Sequence, residues 1–273
     1  MPQDAVRHYG VREQAQASSA EDASAEAIQL IGYTVVDGGY SHAEITAFSQ
    51  AFDDAYAAAQ DRHGRERLVT LGEQNTVRAL LAENELFLSL ALENRALSIC
   101  RRMMGDYIVL NQQNGVVSPA MAASFTQDAF HRDLPYQHFV SSRPISMSAM
   151  FCIDTFTQEN GATVVLPGSH KSERFPSDET ARALAHGVSA SAGSFIVFDS
   201  MLYHKGGVNG TGKPRRGVNH MYTIPLLRQQ IDIPAMLGQR AFDADTRRLL
   251  GYDVMTPRDV AGFYAARCDK GTA

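Results

Sequence analysis

Ser194-Phe-Ile-Val-Phe-Asp-Ser-Met-Leu-Tyr-His204-Lys-Gly-Gly207 joins an aromatic and β-branched run to a histidine and a glycine turn. Ser194 to Phe198 reads as a buried strand, and His204 stands where strand gives way to turn, a usual place for a site residue. Similar short runs recur at Tyr107 to Gln113, Met147 to Ile153, Thr163 to Leu166 and Val218 to Ile224, separated by Gly, Pro, Asn and Ser clusters. That spacing predicts an antiparallel barrel or sandwich.

Upstream of Tyr107 the periodicity is helical. Ser41, with Glu44 three residues later, is an N-cap pattern, and Ile45, Phe48, Phe52 and Ala55 predict an amphipathic helix from Ser41 to about Gln60. A second helix is predicted over Asn84 to Met104, stopped by Gly105, and Ile28 to Val36 reads as a strand before the Gly38-Gly39 turn. A helix-rich first third followed by short strands excludes a Rossmann fold, which needs alternating elements and a glycine fingerprint. The expectation is a mainly β fold with flanking helices, a β-sandwich or jelly roll buttressed by N-terminal helices.

With 273 residues and 44% hydrophobic content, one large domain is the default. It is expected over residues 26–273, with a helical part at about 41–104, a β core at about 107–224 and a packing segment at 225–273. Residues 1–25, polar and rich in Ala, Ser, Gln and Glu, read as a disordered or flexible tail. The net charge of -5 offers no basic field for a phosphate backbone, so nucleic acid is not an expected partner. Three cysteines without CxxC spacing suggest reduced thiols and a cytoplasmic location, and no apolar run reaches the roughly 18 to 20 residues of a membrane span.

The chemistry-bearing residues are His131, Asp133 and His204. On a strand, residues two apart share a face, so His131 and Asp133 could reach one metal with His204 as third ligand. Two imidazoles and one carboxylate on one face of a metal leave positions open for substrates and oxygen, the arrangement of non-haem Fe(II) oxygenases. From the pattern alone, a surface histidine beside an aspartate and an unrelated buried histidine fit equally well.

Four segments carry a resemblance that decides between these. They are Gly32-Tyr-Thr-Val-Val36, His131-Arg-Asp133, Asn160-Gly-Ala-Thr-Val-Val-Leu-Pro-Gly-Ser-His170, and His204 with Asn209 and Arg215. The chain resembles the phytanoyl-CoA dioxygenase family, Fe(II)/2-oxoglutarate oxygenases with a double-stranded β-helix (jelly-roll, cupin-like) core. The resemblance implies that His131, Asp133 and His204 bind Fe(II) and that Arg215, eleven residues after His204, pairs with the distal carboxylate of 2-oxoglutarate, a task suited to a guanidinium fork. Arg216 competes for that role. Thr163 and Gln127 are the further cosubstrate contacts it suggests. It implies a dioxygenase consuming O2, oxidising an unactivated C–H bond of a small-molecule substrate and releasing succinate and CO2; Asp133, absent from the halogenases of the superfamily, favours hydroxylation.

Two departures from the family pattern are the lack of tryptophan and Gly206 where several relatives carry serine. A cupin-like metalloenzyme without 2-oxoglutarate and a non-catalytic small-molecule-binding barrel are the alternatives. Tyr136, His138, Ser141, Ser142 and Arg143 are expected either as a substrate wall or as solvated surface. Lys171 to Ala185, with Ser177 as N-cap, reads as a lid, and the C-terminal tract, with a helix from Pro257 to Arg267, as packing or a homodimer contact.

Overall fold

The computed structural model describes residues 6–92, 94–121 and 127–268. Residues 1–5 of the expected tail and 269–273 of the C-terminal segment lie outside them. In chain order the first elements are α1 (Ala20–Ile31), β1 (Tyr33–Asp37), α2 (His42–His63), α3 (Arg65–Thr70), β2 (Thr76–Arg78), α4 (Leu80–Glu83), α5 (Glu85–Leu92) and α6 (Arg95–Met104). There follow β3 (Val109–Ser118), β4 (Ser146–Cys152), β5 (Val164–Val165), α7 (Asp178–Leu184), β6 (His186–Gly187), β7 (Ser194–Asp199), β8 (His204–Lys205) and β9 (Arg215–Thr223). Helices α8 (Ile233–Leu237), α9 (Ala244–Leu250) and α10 (Val260–Cys268) complete the described chain.

The strands form two antiparallel sheets. The larger has the order β1-β7-β4-β9-β3-β2 and the smaller β6-β5-β8. Because side chains alternate across a strand, each strand of the large sheet serves two layers. Met147, Ala149 and Phe151 of β4, Phe195 and Val197 of β7, and Val218 and Tyr222 of β9 share a core with Phe48 and Phe52 of α2, Phe87 of α5 and Ile99 of α6. Cys152, Ile196 and Phe198 turn the other way and pack with Val165, Val188 and Ala190, between the sheets. Full burial of side chains such as Phe52, Phe87 and Phe151 contributes roughly 1.5–3 kcal/mol each.

One irregularity decides what the second layer contains. In the β3–β9 ladder Leu110 lies opposite Tyr222 but Gln112 lies opposite Met221, so a bulge at Asn111 reverses the facing of everything after it. Leu110 therefore enters the helix-side core, whereas Gln112 and Asn114 face the space between the sheets.

Four expectations change. Ile28 to Ile31 is helical: α1 starts at Ala20, capped by Ser19, and Gly32 ends it at φ 92° before the strand. The tail thus gives way to structure before residue 25, because Ala25 and Ile28 are buried on one helical face. The helix expected over Asn84 to Met104 is two helices, because the Asn94 side chain accepts from Leu97 N–H as the cap of α6 and donates to the Leu90 carbonyl of α5. The C-terminal helix begins at Val260 rather than Pro257. Ser41 forms the expected capping box with Glu44, and Ser177 caps α7. Among the described residues no helix is long and apolar enough to cross a membrane.

Candidate metal centre and cosubstrate pocket

His131 and Asp133 do not sit on a regular strand. His131 forms an isolated β-bridge with His204, each backbone N–H donating to the other's carbonyl at 2.9 and 3.0 Å, while Asp133 lies in the following turn with its N–H on the Ser200 carbonyl at 3.1 Å. The shared face predicted from two-residue spacing is therefore produced by one bridge and a turn. β8 reaches His131 from the small sheet, where Val165 of β5 pairs with His204.

One potential ligand atom from each of His131, Asp133 and His204 lies within 4.8 Å of the others. Asp133 Oδ1 is 3.8 Å from His131 Nε2 and 3.5 Å from His204 Nε2. The remaining atoms are tied back. Nδ1 of His131 is 3.0 Å from the Ala129 carbonyl and Nδ1 of His204 is 3.0 Å from the Leu202 carbonyl, contacts in which the ring must donate, leaving both Nε2 lone pairs for a metal. Asp133 Oδ2 accepts from Ser148 Oγ and, at 3.4 Å, from Asn219 Nδ2, so Oδ1 is the oxygen turned to the two histidines. Ser148 in turn lies 3.0 Å from Ser200 Oγ, itself 2.7 Å from Ser146 Oγ.

Burial works against charge at Asp133, but His204 and the hydrogen bonds from His204 and Ser148 outweigh it and hold the carboxyl well below the usual range. Burial also opposes protonation of His204, where Asp133 prevails and raises the imidazole above its ordinary value. His131 is lowered, first by burial and then by His204. A divalent cation would displace the proton that Asp133 otherwise favours on His204. Two neutral imidazole nitrogens and one carboxylate oxygen match the donor set of a facial Fe(II) site.

Arg215, Thr163 and Gln127 line the same cavity as the three ligand candidates. Arg215 is buried, stacks its guanidinium 4.0 Å from the centre of the Phe156 ring, and leaves Nε without a partner. Among the described residues no carboxylate lies in an ion pair with it, and burial pushes its pKa down to about 10. Arg216 is turned to the opposite face, bound to Asp154 at 2.8 Å and to Asp53 of α2 at 2.7 Å. An anion placed beside Arg215 would supply the missing partner, so the pocket fits a dicarboxylate held at both ends. Thr163 is buried, and the Gln127 carbonyl accepts from Gly206 N–H at 2.7 Å, so Gly206 contributes its backbone to this wall.

The segment after Asp133 stands apart. Tyr136, His138, Ser142 and Arg143 are exposed, Ser141 is half-buried, and none lines this cavity. His170 is buried against the Gly32 turn, and His220 faces the helix-side layer against Gln113. Ser148, Asn219 and Ser200 are the functional neighbours that sequence reasoning missed. Alternation along β4 and β9 was the available signal, since Ser148 and Asn219 occupy inward positions amid apolar neighbours.

These features, a double-stranded β-helix with a two-histidine, one-aspartate cluster between its sheets, define a non-haem metalloenzyme architecture. The chain belongs to the phytanoyl-CoA dioxygenase family: the family model described as phytanoyl-CoA dioxygenase (PhyH) matches residues 28–217. It is 33% identical over 234 residues to the uncharacterized protein Rv1501 of Mycobacterium tuberculosis, covering 83% of this chain and 85% of that one. Dioxygenase aneA of Aspergillus aculeatus is 32% identical over 132 residues, 44% of this chain and 43% of that protein. Among solved structures, EctD from S. alaskensis with 2-oxoglutarate and 5-hydroxyectoine shares the fold at 22% identity and a TM-score of 0.66, covering 87% of this chain and 90% of that one. The same protein with bound Fe gives a TM-score of 0.64 at 22% identity, covering 86% and 89%.

Proposed function

We propose that this chain is an Fe(II)/2-oxoglutarate-dependent dioxygenase that hydroxylates an unactivated C–H bond of a small-molecule substrate. The observation that supports this most directly is the convergence, on one cavity, of three metal-donor atoms and a buried guanidinium without an acidic partner. Bound there, Fe(II) with 2-oxoglutarate supplies O2 activation, and the balance is substrate C–H, 2-oxoglutarate and O2 giving substrate C–OH, succinate and CO2.

The protein's part is placement. His131, Asp133 and His204 hold the metal through Nε2, Oδ1 and Nε2, with the outer atoms fixed by Ala129, Ser148, Asn219 and Leu202. Arg215 takes the distal carboxylate of the cosubstrate, oriented by the Phe156 ring, with Thr163 and Gln127 along the same wall. Phe198, whose ring lies 4.7 Å from that of His204, and Met150 give the centre an apolar side that limits water.

The test is anaerobic addition of Fe(II) and 2-oxoglutarate to the metal-free protein, reading the visible charge-transfer band of the chelate. A band abolished by His204→Ala and weakened by Arg215→Ala supports this reading. Folded protein without a band overturns it in favour of a metalloenzyme that does not use 2-oxoglutarate or a non-catalytic barrel.

A further inference from the structure

On the edge side of the cavity, past the metal cluster, the wall changes character. The bulge at Asn111 turns Gln112 and Asn114 of β3 inward, and Arg78 of the edge strand β2 and Gln230 meet them there. Gln112 and Asn114 touch at 2.8 Å, Asn114 lies 3.4 Å from Gln230, and Arg78 lies 3.3 Å from Gln230. The one charge is cancelled, since Glu73 grips the Arg78 guanidinium as a fork at 2.9 and 2.5 Å.

This wall is polar, uncharged and incompletely satisfied. One end of the Gln112 amide meets only the Met221 sulfur, at 3.2 Å, whereas the Asn114 amide, turned over, donates to the Gln113 carbonyl at 3.1 Å and accepts from Arg78 at 3.0 Å. A thioether is a weak acceptor and no donor. Farther in, Asn219 Oδ1 and Ser118 Oγ are buried and unpartnered. Leaving such groups dry is unfavourable, so a ligand that completes them binds by relieving that cost.

Both donors and acceptors are wanted. A carboxylate offers only acceptors, an ammonium only donors and an acyl chain neither, whereas a hydroxyl offers both. Gln112 and Asn114 meet at 2.8 Å, so one amide group would complete that pair alone, while a row of hydroxyls also reaches Gln230, Asn219 and Ser118 along the same cavity. We infer that the substrate is an uncharged, hydroxyl-rich molecule of the carbohydrate or cyclitol class, its hydroxylated part held by Gln112, Asn114 and Gln230. The inference rests on the proposed oxygenase reading for the C–H bond that reacts, but not for the recognition itself.

The experiment is saturation-transfer difference NMR on the full chain. The probes are methyl α-glucoside, N-acetylglucosamine, trehalose and myo-inositol, with N-acetylglycine amide and decanoate as contrasts. Transfer to at least one hydroxylated probe is expected, with affinity weakened roughly fivefold in Gln112→Leu and in Gln230→Leu, each missing one hydrogen bond. Transfer confined to the amide or to decanoate, transfer to no probe, or hydroxylated-probe binding unaffected in both folded variants overturns the inference. The readout needs neither iron nor 2-oxoglutarate, so failure of the charge-transfer test would remove the oxygenase reading without touching this result, and the reverse holds.

Discussion

Ser148 Oγ donates to Asp133 Oδ2, the carboxylate oxygen opposite the one that faces both histidines. The oxygen turned to the histidines is selected from behind, by a strand residue fifteen positions along the chain, while Ser200 backs the serine itself. Ser148→Ala is expected to weaken Fe(II) affinity by about 10- to 100-fold, the usual cost of removing such an outer partner. Metal titration checks this, with far-UV circular dichroism unchanged; an unaltered affinity would mean that Asn219 suffices.

Arg215 sets function against stability. A buried guanidinium that has no carboxylate partner among the described residues burdens the fold, and replacing it with an apolar side chain of similar length relieves that burden. Arg215→Met is expected to keep or raise the unfolding free energy read from urea titration, by about 1 kcal/mol, while weakening 2-oxoglutarate binding roughly 30-fold or more through loss of a charge-assisted bond. A variant that loses stability and retains cosubstrate affinity would give Arg215 a structural role instead.

Acid sensitivity follows from His220. Burial among Ala149, Gln113 and Phe195 pushes its pKa down to about 4, so the folded state keeps it neutral where the unfolded chain binds a proton. Its contribution is fully present above about pH 6.5 and is lost as pH falls through about 4, worth on the order of 3 kcal/mol. His170, pushed down to about 4 mainly by burial, acts in the same direction. Asp199, pushed up to about 6 by burial, acts in the opposite one, because falling pH favours its folded, protonated form. Urea midpoints of the metal-free protein at pH 7 and 4.5 are expected to fall, and His220→Gln to shallow the slope.

Gly161 tests what the Asn160-Gly161 motif is for. Its φ is 77°, and an added Cβ would lie 2.5 Å from the Gly207 carbonyl oxygen, a backbone atom with little freedom to move. Gly161→Ala is expected to cost roughly 2 kcal/mol or more and to loosen the turn before Thr163. Thermal unfolding would show it; an unchanged midpoint would show that the two loops can separate freely.

The His131, Asp133 and His204 cluster and the strands were legible because each rests on local pattern: short β-branched runs between breakers, and a histidine, aspartate and distant histidine with familiar neighbours. The choice between Arg215 and Arg216 needed only strand alternation and the position of Asp154 and Asp53 to settle which faces in. What stayed hidden depends on pairing between distant segments. Ser148 is an ordinary strand serine until β4 is laid beneath the turn holding Asp133, and Gln112 faces the cavity only because β3 bulges against β9. Asn94 was readable as a cap, yet the apolar run across it looked continuous, and the break is fixed by its bonds to Leu90 and Tyr222. Likewise Ser19 and Gly32 mark both ends of α1, though its alanine-rich composition resembles a tail.

The reciprocal backbone bridge between His131 and His204 has a bearing on how this protein would age. The two histidines are clasped to each other through main chain, so their spacing does not depend on what sits between them. A site of that kind can be emptied by a chelator and refilled without the chain passing through an unfolded state, unlike small domains whose metal is their core. Lost iron would then be a matter of replenishment, not of making the protein anew.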